Sequence, residues 1–158
     1  MPVVLVSTLY GDVKNVAPYA WHMPISIDPP LLGIAMRKSR DTYKNILEQG
    51  EFVVAVPGPD VLERMERTAE SLPRDRSEFE HAGLTPSPSK LVGPFHVKEC
   101  PVNMECRFEW EKEAGDHQVV VGRVVHVDVV SDGEGHVHDP IYHSMGTGAQ
   151  YLRLGKAL

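Results

Sequence analysis

The residues best suited to chemistry lie between Ala35 and Asn45, in the run A-M-R-K-S-R-D-T-Y-K-N. Residues 37 to 44 hold Arg37, Lys38, Arg40 and Lys44, four of the chain's 16 Lys and Arg, against one acid, Asp41. Ser39 and Thr42 add hydroxyl donors. The run follows an apolar stretch, Leu31 to Met36, and opens a short helical pattern, Thr42 to Gln49, closed by Gly50. A helix start offers unpaired backbone N–H groups and the positive end of a dipole. With guanidinium and hydroxyl groups beside it, this is a place to hold an anion. There is no G-x-x-x-x-G-K-[ST] loop and no G-x-G-x-x-G, so a nucleotide here needs another kind of cradle.

Three further groups of residues invite a reading. Tyr19-Ala20-Trp21-His22 lies on an interrupted strand just upstream; Trp21 suits core packing, or a flat aromatic ligand could lie where small Ala20 lets a ring approach the backbone. His117 follows Gly115-Asp116 at the start of a long strand. It is either an ordinary turn histidine or a group near a barrel rim that titrates near neutral pH. His136, His138 and His143 invite a metal reading, but no third ligand stands at a familiar spacing, and a polar turn after Asp132-Gly133-Glu134-Gly135 accounts for them better. Cys100 and Cys106 form no C-x-x-C unit, and Cys106 falls on the apolar face of its strand as an inert core thiol.

These residues need elements to position them. Pro2 to Leu9 is a β-branched run ending in a Tyr10-Gly11-Asp12 turn. Asn15 to Ile27 reads as one strand interrupted by Pro18 and Pro24, which places it at an edge or a bulge. Asp28-Pro29-Pro30 is a stiff connector. Phe52 to Val56 reads as a buried strand stopped by Pro57-Gly58. A helix is expected from Val61 to about Ala69, with Asp60 as its cap. Residues 71 to 94 are proline-rich and too irregular for core, so they either cover a site or pad the surface; one short helix is expected near Ser77 to His81. Val102 to Glu111 alternates, with Val102, Met104, Cys106, Phe108 and Trp110 on the apolar face and Asn103, Glu105, Arg107, Glu109 and Glu111 on the other. His117 to Val130 is a long strand in which Gly122 marks a bulge or bend. Strands joined mainly by hairpin turns, with a few short helices, favour a mainly β, antiparallel barrel or sandwich.

Bulk properties narrow the function. The 158 residues make one domain with room for a core. The net charge of −6 disfavours nucleic acid and anionic membranes as partners. No apolar run reaches the roughly 18 residues a membrane span needs. The first residues read as a strand, not a signal peptide. Two cysteines make no secreted disulfide framework, so the cytoplasm is the expected compartment.

The ordered segments N-V-A-P-Y-A-W (15–21), I-S-I-D-P-P-L-L (25–32), R-K-S-R-D-T-Y-K-N-I (37–46) and G-E-F-V-V-A-V (50–56) resemble the flavin reductase-like family of FMN-binding split barrels. P-V-N-M-E-C (101–106), G-D-H-Q-V-V-V-G-R-V (115–124) and the tail from Pro140 to Tyr151 extend the likeness over nearly the whole chain, closest to the flavoredoxin-like branch. The resemblance implies a six-stranded antiparallel split β-barrel, a homodimer, and FMN near the subunit interface. It assigns Arg37, Lys38, Ser39 and Thr42 to the FMN phosphate, with Arg40 as a further candidate. Tyr19, Ala20, Trp21 and His22 would line the isoalloxazine, with Ser26 nearby. His117 matches the histidine near flavin and nicotinamide, and His143 and Tyr151 match the tail that approaches the site. The implied activity is an NADH- or NADPH-dependent oxidoreductase that passes hydride from nicotinamide to flavin and on to an acceptor, with His117 as proton donor or nicotinamide-positioning group. Two rivals stand beside it: an FMN electron carrier reduced by a partner protein, and a split barrel holding haem or another phosphate-bearing cofactor.

Overall fold

Two glycines set the hairpins on which the sheet is built. Gly11 and Gly115 take positive φ (56° and 65°) and each is followed by an aspartate, the order of a two-residue II′ turn. The first joins β1 (Val4–Tyr10) to β2 (Val13–Tyr19); the second joins β8 (Val102–Ala114) to β9 (His117–Val129). Between them come β3 (His22–Ser26), β4 (Leu31–Met36), α1 (Asp41–Gln49), β5 (Glu51–Val56), α2 (Leu62–Arg67), α3 (Glu78–Ala82) and a short pair, β6 (Pro86–Ser87) with β7 (His96–Val97). A second short pair, β10 (Ile141–His143) with β11 (Tyr151–Arg153), lies towards the C-terminus. This is a computed structural model that describes residues 2–130, 141–143 and 151–153.

The main sheet is antiparallel in the order β2-β1-β5-β8-β9-β4-β3. Its two edge strands, β2 and β3, are separated along the chain by only Ala20 and Trp21. A flat sheet cannot bring its opposite edges within two residues, so the sheet rolls into a barrel; the Ala35 N–H donates to the Trp21 carbonyl at 2.8 Å, carrying the β3–β4 ladder one residue beyond His22 and Ile34. The main sheet therefore has seven strands where six were expected. The extra one arises because the segment expected as a single strand, residues 15–27, breaks at Ala20–Trp21. Pro18 and Pro24 sit on the edge strands, with a bulge between Pro24 and Ser26, as a residue without an N–H requires.

The strand period of two places alternate residues of β1 and β5 in two cores. Val4, Val6, Phe52 and Val54 pack with Ile34, Met36, Cys106 and Val120, and Tyr43 and Ile46 of α1 join them. Leu5 and Ala55 face the other way, against Val61, Met65, Phe79 and Ala82 of the helical layer. Gly122 is a packing requirement of the first core: a side chain there would run into the Phe52 ring. Cys106 is fully buried there, and burial pushes its thiol up to about 12.

Three expectations change. The helix expected over 61–69 starts earlier, as a 3-10 turn at Pro59–Val61 that continues into α2, because Pro59 supplies the turn's first φ; Asp60 lies inside the turn and does not cap a helix. The 71–94 excursion is not excluded from the core: Phe79, Ala82 and Leu84 are buried. The outward face expected for Asn103 and Glu105 is buried as well. β8 carries register shifts at Glu105/Cys106 and Phe108/Trp110, and the chain from 90 to 100 folds over that face. Glu105 accepts the N–H groups of Lys90 (2.8 Å) and Leu91 (2.6 Å), and Asn103 bonds both Val97 and Cys100.

Candidate functional site

The break at Ala20–Trp21 leaves a gap at the mouth of the barrel. The turn after β4, the start of α1, residues 68–72 and His117 surround it, and together they enclose a cleft of about 510 Å³. Tyr19, Ala20, Trp21, Arg37, Ser39, Arg40, Thr42 and His117 line it. The apolar contribution comes from Ala17, Pro18, Ala20, Ala35 and Met36.

The basic end is built locally. After Met36 the chain turns, with the Arg40 N–H bonded to the Arg37 carbonyl at 3.0 Å, and α1 begins at Asp41. Arg40 occupies the N-cap position in an extended conformation, and its side chain makes no capping bond. The first N–H groups of α1 thus have no side-chain acceptor from the cap. The cations around them are not all equally available. Arg37 meets Asp116 at 3.3 Å, Lys38 meets Glu113 at 3.1 Å, and Lys44 meets Asp41 at 2.9 Å. Arg40 has no ion-pair partner among the described residues. The two pairs from Arg37 and Lys38 tie the turn to the β8–β9 hairpin; both are well exposed and contribute little stability.

The opposite wall is aromatic. The Trp21 and His117 rings lie 4.6 Å apart at an interplanar angle of 40°. His117 Nδ1 is 2.7 Å from Asp116 Oδ1, which leaves Nε2 as the ring nitrogen for a ligand. The His117 hydrogen bond and, behind it, the Arg37 charge hold the Asp116 carboxyl below the usual carboxylate range. Burial raises the Tyr19 phenol, against smaller opposing effects of Thr42 and Arg40, so it stays protonated.

Beneath the cleft lies a buried polar network. Asn15 Oδ1 accepts from Thr8 (3.0 Å) and Thr42 (3.1 Å), and Asn15 Nδ2 donates to Glu78 Oε2 at 2.9 Å. Asn45 donates to Thr8 at 3.0 Å and accepts from Arg74 at 2.8 Å. Asn15, Thr42 and Glu78 line the cleft from this network. Residue types alone do not single out Asn15, Glu78 or the 68–72 segment. Asn15 had a signal only as the first residue of N-V-A-P-Y-A-W, and Glu78 had none, since its partner is 63 positions away.

The other expected site residues fall elsewhere. His22 is half-buried beside a separate, almost wholly apolar pocket of about 180 Å³ formed with Trp21, Met23, Gly33, Ile34, Ala35 and Val119. Burial lowers the His22 pKa, against a bond to Pro2, and among the described residues its Nε2 has no hydrogen-bond partner. Lys38 and Ser26 do not line the cleft. His143 and Tyr151 are register partners in the β10–β11 pair, but their side chains lie outside what the structure describes, as do His136 and His138 altogether. Among the described residues no three metal-binding side chains gather, and no helix is long and apolar enough to cross a membrane.

Comparison with known proteins decides the family. Residues 1–147 match the model of the flavin reductase like domain. This chain belongs to the flavin reductase-like family. Within that family, it is 37% identical over 137 residues to an uncharacterized protein of Methanothermobacter thermautotrophicus, a match covering 84% of this chain and 65% of that protein. Among solved structures, nitrilotriacetate monooxygenase component B from Bacillus cereus superimposes with a TM-score of 0.84 at 32% identity, covering 99% of this chain and 85% of that one. Flavoredoxin of Desulfovibrio vulgaris gives 0.85 at 25% identity, with 99% and 88% covered. The split-barrel fold with its few short helices is thus common to these flavin reductase-like proteins.

Proposed function

We propose that this chain is an FMN-binding oxidoreductase that takes its reducing equivalents from NADH or NADPH. The observation that carries the reading is one of juxtaposition. A helix start without a side-chain cap, flanked by Arg37, Ser39 and Arg40, opens onto the same cleft as the Trp21–His117 wall. A flavin mononucleotide needs both halves: charge and N–H donors for its phosphate, and a dry slot for its ring. The apolar lining from Ala17, Pro18, Ala20 and Met36 suits the ring, and the arginines and α1 suit the phosphate, so the residues present fit the group.

In this reading Arg37, Ser39, Arg40 and the first N–H groups of α1 hold the phosphate. The Thr42 hydroxyl, already donating to Asn15, fixes the start of the helix. Lys38 neutralises Glu113 and steadies the hairpin that carries His117. Tyr19 to Trp21 line the ring, largely through backbone groups. His117, oriented by Asp116, presents Nε2 to move a proton or to position a nicotinamide. Bound FMN would supply the redox chemistry, accepting hydride from the nicotinamide and passing electrons to an acceptor.

We read the assembly as a homodimer. Met23, Ile25 and Ile27 stand exposed along the β3 edge next to Trp21, an apolar strip that a second copy would cover. Cys100 and Cys106, both buried free thiols, suit the reducing cytoplasm.

Purified protein should show flavin absorption, or take up added FMN, and the flavin should bleach on anaerobic addition of NADH or NADPH. A colourless protein that ignores FMN overturns the proposal. Bound FMN that no nicotinamide bleaches, but a reductase protein does, points to the electron carrier. Light scattering at a mass of one chain would remove the homodimer.

A further inference from the structure

We infer that Glu78 is a positioning residue of the anion site, a carboxyl that takes up one proton when a phosphate ester enters the cleft and then donates to the anion. The inference rests on reading this cleft as the FMN phosphate site. Glu78 lines the cleft with Arg37, Ser39 and Arg40, yet it is only 9% exposed. A buried carboxylate is ordinarily matched by a cation. Glu78 instead meets neutral donors: the Asn15 amide at 2.9 Å, the Val16 N–H and its own N–H. Through Asn15 it stands two hydrogen bonds from the Thr42 hydroxyl, at the start of α1.

The charges around it favour its acid form once an anion arrives. From α1 comes Asp41, of the same sign, which pairs with Lys44 and lies 3.9 Å from Arg74 Nε. From the segment before α3 comes Arg74, committed to Asn45 and Glu48. Glu70 lines the same cleft and pairs with His81 at 2.8 Å. On β2, Lys14 directs its ammonium over the Phe95 ring at 5.0 Å. Arg37, Arg40 and His117 line the cleft with it. Desolvation already raises the Glu78 pKa, and a phosphate dianion in the cleft raises it further by like-charge repulsion. The balance is simple: the carboxylate gains one proton from solvent, repulsion is removed, and the carboxylic acid supplies an O–H donor.

The test titrates the full-length protein with FMN and, separately, with riboflavin, which lacks the phosphate. Calorimetry in two buffers of different ionisation enthalpy counts protons. The range is pH 7 to 9, where a phosphate monoester, with its second pKa near about 6, is already a dianion. Wild type should take up protons on binding FMN, and FMN affinity should fall by up to about tenfold per pH unit while riboflavin affinity does not follow. Glu78→Gln keeps an acceptor for Asn15 and carries a permanent N–H donor. It should abolish the uptake, flatten the pH profile and bind FMN more tightly than wild type at pH 9. A Gln variant that keeps the uptake and the slope overturns the inference and leaves the cleft reading intact. If that variant does not fold, the wild-type pair decides: parallel pH slopes for FMN and riboflavin overturn it. Failure of FMN to bind at any pH overturns the cleft reading itself, and the inference with it.

Discussion

Two buried glutamates show how surroundings decide what a residue is for. Glu105, on β8, is fully buried and Glu78, at the start of α3, nearly so. Glu105 accepts two backbone N–H groups from residues 90 and 91 and meets His96 Nε2 at 2.8 Å, while His96 Nδ1 lies 3.8 Å from Asp128. Both carboxylate oxygens that burial stripped of water find donors, and the carboxyl is held below the usual range. The two backbone bonds and the His96 ring outweigh desolvation there, even though desolvation is the largest single effect. Among the described residues Glu78 has no imidazole or cation at contact, only amide donors and a cleft. Its burial wins, and its pKa rises. Glu105 is a clamp that fastens the 90–100 segment to the sheet, and Glu78 is a wall of a site. The lesson is that burial alone does not sort structural from functional carboxyls; the partners do.

The sharpest break of this comparison is Glu105→Ala. It leaves two buried N–H groups and an imidazole without an acceptor, and should lower stability by about 3 kcal/mol or more in urea titration. Flavin affinity should change little, since the clamp lies away from the cleft. Next in size is the double change Arg37→Ala with Ser39→Ala. Its expected effect is on binding alone, a loss of about 2 kcal/mol or roughly thirtyfold in FMN affinity, with an unchanged urea midpoint. If those two outcomes exchanged places, the assignment of clamp and site would be wrong.

A smaller effect sharpens the contrast through pH. The folded pKa of Glu105 is depressed, so its contribution is complete above the unfolded value of about 4.3 and is lost as pH falls through the folded pKa. The folded pKa of Glu78 is raised, so the folded state binds more protons there, and its stability falls as pH rises from about 4.3 through the folded pKa. Urea midpoints from pH 3.5 to 7 should therefore move in opposite directions relative to wild type: Glu78→Gln gains as pH rises, and Glu105→Gln loses. Curves that run parallel would show the two carboxyls to be alike. The smallest effect belongs to the exposed control, Glu109, paired with Arg123 at 2.7 Å. Glu109→Gln should leave both the midpoint and FMN binding where they were, as water already screens that pair.

The strands were largely legible from residues in order. Gly11-Asp12 and Gly115-Asp116 announce their hairpins, and the period of two marks β8 and β9, because turn chemistry and side-chain alternation are properties of neighbours. The cleft was legible in part for the same reason: Arg37, Ser39, Arg40 and Thr42 are contiguous with the helix they open. Where the reading missed, distance along the chain was the cause. Asn103 and Glu105 look like a solvent face on a strand, and only the folding of residues 90–100 over them turns that face inward. His22 looks continuous with Tyr19 to Trp21, yet the strand breaks at Ala20–Trp21, and His22 lines a different pocket from Tyr19 and Ala20.

By itself the sequence determined the β-rich character, the hairpins, the anion-suited start of α1 and, by likeness, the flavin reductase-like family. These rest on interactions within a few residues, or on a pattern that order and spacing carry. Only the tertiary structure decided that the second strand breaks at Ala20–Trp21 to close the barrel and open a cleft, that the His117 ring meets Trp21 on one wall of it, and that Asn15 links Thr42 to Glu78. Each brings together residues from distant parts of the chain. Electrostatic environment is set by what approaches in space, so residue type names a carboxyl, and only the fold says whether it clamps the barrel or faces a ligand.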